Sequence, residues 1–134
     1  MSKFGGLARE TDKIGRMPIR DSVTGQPIRT IDGREAYIEG YGSDSTTAVK
    51  ARRTITDGRL RMRNRNKLTS ERLETEGNEM LAALTTGWLL VDPTNGSVIE
   101  VPHSLANALD LFGAPEMAWL REQWDEFTSD RANF

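Results

Sequence analysis

Leu89-Leu90-Val91-Asp92-Pro93-Thr94-Asn95-Gly96-Ser97-Val98-Ile99-Glu100-Val101 decides the fold class of this chain. Two short apolar runs, suited to a half-buried pleated surface, bracket a segment that contains Asp, Pro, Asn and Gly. That arrangement predicts a β-hairpin. Immediately downstream, Ser104 has the side-chain oxygen that caps a helix start. Leu105, Ala108, Leu109 and Phe112 follow at helical spacing, and Gly113 closes the segment. Upstream, a helix is expected from about Thr69-Ser70-Glu71, with Leu73, Met80, Leu81 and Leu84 facing the core and Gly87 as its stop. A hairpin between two helices makes this an α+β protein.

The rest of the chain extends that reading. Thr24-Gly25-Gln26-Pro27 and Asp32-Gly33 are turn chemistry, and Ala36-Tyr37-Ile38-Glu39-Gly40-Tyr41 alternates as a strand does, so short antiparallel strands are expected before residue 42. Ser43-Asp44-Ser45 opens a first helix whose thin apolar stripe is Ala48, Ala51, Ile55 and Met62, with Gly58 placed to end or bend it. A last helix is expected from Ala114 to Thr128, with Pro115 in its first turn. The expectation is a mainly helical small domain over residues 16–134, with short N-terminal strands and a β-hairpin between the second and third helices. Residues 1–15, with Gly5-Gly6 and no apolar period, are expected to form a flexible arm. At 134 residues the chain has room for one modest core.

The formal net charge of −2 conceals a strong division. Lys50, Arg52, Arg53, Arg59, Arg61, Arg63, Arg65, Lys67 and Arg72 face only Asp57 and Glu71 within one segment, whereas the chain from Leu73 onward is acidic. Such asymmetry points to charge pairing within or between molecules. The basic block admits three readings: an acidic protein surface, nucleic acid, or a solvated helix face. Its charges alternate with Leu, Met and Asn, and the aromatic side chains that would stack bases are missing from it, so protein is favoured over nucleic acid. In the last helix, Met117, Leu120, Trp124 and Phe127 share one face, while Trp119 points elsewhere. Trp119 either packs under the hairpin or the C-terminal tail, or is offered to a partner. The candidate partner-binding residues are therefore Arg52, Arg53, Arg59, Arg61, Arg63, Arg65 and Trp119.

Catalytic chemistry is poorly represented. With no cysteine there is no thiolate nucleophile, disulfide or thiolate metal site. His103 is the lone histidine and reads as structural, since a zinc or iron site would need carboxylates for nearly every other ligand. Neither a nucleophile elbow, a phosphate loop nor a dinucleotide fingerprint is present. Carboxylate pairs such as Glu74 and Glu76 read as a solvated face. A cofactor-free, non-enzymatic protein that binds other proteins is expected. The lack of cysteine favours an intracellular site of action, and the start of the chain lacks the apolar run of a signal peptide, as later stretches lack the length to span a bilayer.

Four features, in this order and spacing, resemble the tail assembly chaperones of long-tailed bacteriophages. They are the Gly42-Ser43-Asp44-Ser45 entry to the first helix, the Gly87-Trp88 pair, the Val101-Pro102-His103-Ser104-Leu105-Ala106-Asn107-Ala108 segment and the closing Asp130-Arg131-Ala132-Asn133-Phe134. The resemblance spans about residues 18–134. It implies a protein without a catalytic site that coats the tape measure protein, helps recruit tail tube subunits and acts in the host cell cytoplasm during phage assembly. A permanent virion component, such as a head–tail connector or tail protein, is the alternative, and a small nucleic-acid-binding regulator is a third.

Overall fold

The computed structural model describes residues 13–61 and 70–134. Strand β2 (Tyr37–Tyr41) is the centre of a three-stranded antiparallel sheet. Strand β1 (Ile14–Pro18) lies on one side and β3 (Thr85–Leu89) on the other. The register sets Met17 opposite Ile38 and Ile38 opposite Trp88. Because side chains alternate across a strand, Met17 and Ile38 turn to the core, while Arg16, Tyr37 and Glu39 turn outward.

Between β1 and β2 the chain continues the sheet irregularly. Ile19 donates to Ala36, Ile28 to Ile19 and Ala36 to Ile28, so three extended segments place their buried side chains together. Gly25 and Gly33 turn the chain back at φ of 72° and 90°, a region open to glycine because it has no Cβ.

Helix α1 (Thr46–Arg61) follows, capped by Ser45, whose hydroxyl accepts from the Ala48 amide at 3.0 Å. The helix continues through Gly58, where a Cβ would meet only open space. Helix α2 (Ser70–Leu84) passes without a loop into β3. Gly40 permits that junction: a side chain there would overlap the Leu84 carbonyl, and the β2–β3 register shifts between Glu39 and Gly40. The stop expected at Gly87 is corrected. The helix ends at Leu84, Thr85 Oγ1 donates to the Leu81 carbonyl at 2.8 Å, and Gly87 pairs with Glu39 inside β3. Leu73, expected in the core stripe, is 51 % exposed.

The hairpin between the second and third helices is present as a short ladder. Asp92 donates to Ser97 and Ile99 to Leu90, and Val91 bridges Val98 around Gly96 at φ 72°. The Asp92 carboxylate accepts from both the hydroxyl and the amide of Thr94, which hold it below the usual carboxylate range.

Helix α3 (Leu105–Gly113) is capped by Ser104, which accepts from the Asn107 amide at 3.0 Å. A 3-10 turn at Pro115–Met117 leads into α4 (Ala118–Ser129), so the segment expected as one helix from Ala114 to Thr128 is divided. Trp124 is fully buried among Leu120, Phe112, Ala108 and Leu81, and its indole N–H donates to Thr85 Oγ1 at 3.1 Å. Phe127 stacks on Trp124 at 5.7 Å and meets the edge of Phe134 at 5.5 Å.

Phe134 lies against Gly15 and Gly42, where added Cβ atoms would come within 2.7 and 3.0 Å of its ring. Gly15 is therefore packed beneath the C-terminal segment while Ile14 stays exposed, and both belong to β1 although they fall within the span expected as an arm. The remainder of the expected arm, residues 1–12, lies outside the described residues.

Candidate protein-binding groove

Of the residues expected to contact a partner, Arg52, Arg53 and Trp119 have described side chains. Arg52 is exposed, and its guanidinium donates to the Ser43 carbonyl beside the start of α1. Arg53 is exposed on the same helix. Arg59 and Arg61 belong to α1 by their backbone, while Arg63 and Arg65 lie outside the described residues. Trp119 is half-buried and packs against the core cluster. Its indole therefore contributes to packing as well as to the surface. A bulky ring at the edge of a helix face can lie along neighbouring structure, which phase alone does not reveal.

Among the described residues, part of the apolar surface left uncovered lies between helices. Ala51 and Ile55 of α1, Ala83 of α2, and Leu105 and Leu109 of α3 line an open hollow of about 390 Å³. Leu105 reads as a core position from its spacing with Ala108, Leu109 and Phe112, yet it is 60 % exposed. It stands in the first turn of α3, at the rim of this hollow. The residues that line it carry periodic spacing, but periodicity says only that they share a face.

A second hollow, about 610 Å³, adjoins the first through Glu79 and Leu109, which line both. Its floor is the α2 face formed by Glu71, Glu74, Thr75, Asn78 and Glu79, and Gly113 and Pro115 form the opposite wall. These α2 positions recur at three- and four-residue steps, so they form one stripe along the helix. Glu71 and Glu74 are exposed. The α2 face from Glu71 to Ala83 thus floors one groove, about 18 Å long at ~1.5 Å rise per residue. One end is apolar and the other carries carboxylates. Glu76, one turn from Glu79, is buried instead and accepts from Arg72 at 3.4 Å.

A third hollow, about 560 Å³, opens on the outer face of the sheet between Arg16, Pro18, Arg34, Tyr37, Trp88 and Leu89. Its cations are already engaged. Arg16 pairs with Glu39 at 3.0 Å and lies over the Tyr37 ring at 3.9 Å, and Arg34 pairs with Asp32 at 3.2 Å. Asp32 is held below the usual carboxylate range by the Thr30 hydroxyl first and by Arg34 second. That balance leaves little field for an anionic ligand.

His103 packs edge-on against Trp88 with ring centroids 5.0 Å apart, while the Trp88 indole donates to the Val101 carbonyl at 2.8 Å. The imidazole thus braces the chain between the hairpin and α3. Its buried Nε2 has no hydrogen-bond partner among the described residues. Among those residues no cluster of His, Cys, Asp and Glu is placed to hold a metal ion, and no helix is long and apolar enough to cross a membrane.

No protein-family model, curated protein or solved structure significantly matches this chain.

Proposed function

We propose that this protein is a bacteriophage tail assembly chaperone that binds the tape measure protein and helps recruit tail tube subunits. It acts without a catalytic site or cofactor, in the host cell cytoplasm. The observation that carries protein binding is the groove over α2, where apolar side chains remain open to solvent beside exposed carboxylates. Uncovered apolar surface rimmed by polar residues is the usual mark of a protein contact. The client is supplied by the order and spacing of the Gly42-Ser43-Asp44-Ser45, Gly87-Trp88, Val101–Ala108 and Asp130–Phe134 segments, which resemble that family. The division into a basic middle and an acidic C-terminal half supports it further, because an extended helical client is held by many weak, partly electrostatic contacts.

Co-expression with the tape measure and tail tube proteins of the same phage, followed by affinity capture through this chain, tests the proposal. Capture of the tape measure protein is expected, and recovery of neither protein overturns it. Purified mature particles separate the alternative. A chaperone is absent from them, whereas a connector or tail component remains in fixed copy number.

A further inference from the structure

We infer that the groove over α2 receives a basic amphipathic helix of a protein partner, with its apolar residues at the Ala51–Ile55–Leu105–Leu109 end and its lysines or arginines against Glu71, Glu74 and Glu79. The inference rests on the protein-binding reading above and specifies the chemistry of the segment bound.

Length, shape and charge each point to that occupant. About 18 Å of groove matches roughly 12 residues of helix, three turns and a little more. Helix-in-groove recognition places apolar anchors at i, i+3 or i+4, and i+7, about 10 Å apart from first to last, which lets them reach only one end of this groove. That end is the apolar one, where Leu105 and Leu109, one turn apart on α3, face Ala51 and Ile55, one turn apart on α1. At the other end Glu71 and Glu74 are exposed. Among the described residues no cation pairs with Glu71, Glu74 or Glu79, although Arg72 on the same helix is engaged with Glu76. An acidic or neutral helix would bring no compensating charge to these groups. A basic one gains attraction at the rim and apolar burial at the floor.

Glu71, in the first turn of α2, also suits the positive end of its own helix dipole, a contribution that leaves its outward face open to a partner. Nucleic acid is disfavoured at this face, because phosphates would meet three glutamates.

The test uses a fluorescein-labelled helical peptide of about 14 residues, with leucines at i, i+3 and i+7 followed by lysines, and a second in which glutamates replace the lysines. Binding to the full chain is followed by fluorescence anisotropy. The lysine peptide is expected to bind at least about tenfold more tightly than the glutamate peptide. Leu105→Gln, at an exposed position, is expected to weaken it by about tenfold without changing the melting temperature by more than a few degrees. Glu71→Lys combined with Glu74→Lys is expected to invert the preference between the two peptides. Equal binding of both peptides, or unchanged binding by both variants, overturns the inference. Self-association of the native chain that Leu105→Gln abolishes would assign the groove to a second copy and also overturn it. If the tape measure protein is captured equally by native and Leu105→Gln protein, the groove assignment fails while the chaperone reading stands. If the native chain binds the lysine peptide but captures no client, the groove stands and the chaperone reading fails.

Discussion

Trp124 and Trp119 stand on one helix five positions apart and do different amounts of structural work. Trp124 is 0 % exposed, stacked on Phe127 and hydrogen-bonded to Thr85, so Trp124→Ala leaves a cavity at the point where α4 meets the end of α2. A loss of about 3–5 kcal/mol is expected in urea denaturation. Trp119 packs against the same cluster while part of its ring stays in water, and Trp119→Ala is expected to lose about 2 kcal/mol by the smaller apolar area involved. Equal losses would show that Trp119 is as deeply committed to the core as Trp124. The burial of Trp124 was legible from a helical period of about 3.6 residues. The packing of Trp119 was not, because it depends on what lies beside the helix and not on the helix itself.

At the level of elements, the serine caps could be read directly, but their energetic ranking could not. Ser45 and Ser104 each accept an amide of their helix's first turn at 3.0 Å. Ser45 is fully buried and caps the fully buried Ala48, whereas Ser104 is only half-buried. Removing a cap where water can replace it costs about 1 kcal/mol, and leaving a buried amide unpaired adds a desolvation penalty. Ser104→Ala is therefore expected to lose about 1 kcal/mol and Ser45→Ala about 2 kcal/mol in the same denaturation assay. A smaller loss for Ser45→Ala would mean that solvent reaches the Ala48 amide. Strand β3 shows the limit of local reading: Thr85-Thr86-Gly87-Trp88 has a glycine where a helix stop is plausible, and its identity as a strand comes from pairing with β2, more than forty residues earlier.

Across the described residues, several cations are already engaged within the chain. Arg52 is held on the Ser43 carbonyl, Arg72 pairs with Glu76 at 3.4 Å, and Arg131 pairs with Asp44 at 2.9 Å. An exposed ion pair such as Arg131–Asp44 contributes little to stability, yet each of these contacts engages a cation that a phosphate would otherwise use. Mobility shifts at physiological salt should accordingly show DNA binding no tighter than about 1 µM and without sequence preference. A nanomolar complex that persists as salt rises would return the protein to the nucleic-acid class.

By itself the sequence determined the chemistry of the parts. It placed the capped starts of α1 and α3, the glycine turns at Gly25, Gly33 and Gly96, the hairpin around Asp92–Gly96 and the buried side of α4. Those follow from interactions within a few residues: a hydroxyl reaching an amide three positions on, a glycine taking a positive φ, apolar side chains at helical period. Only the tertiary structure decided that α2 runs directly into a third strand, that Gly15 belongs beneath Phe134, and that Leu105 stands exposed at an open hollow which no described element covers. Each of these depends on which surfaces meet across long separations in the chain, and an apolar stripe looks the same in sequence whether or not anything covers it.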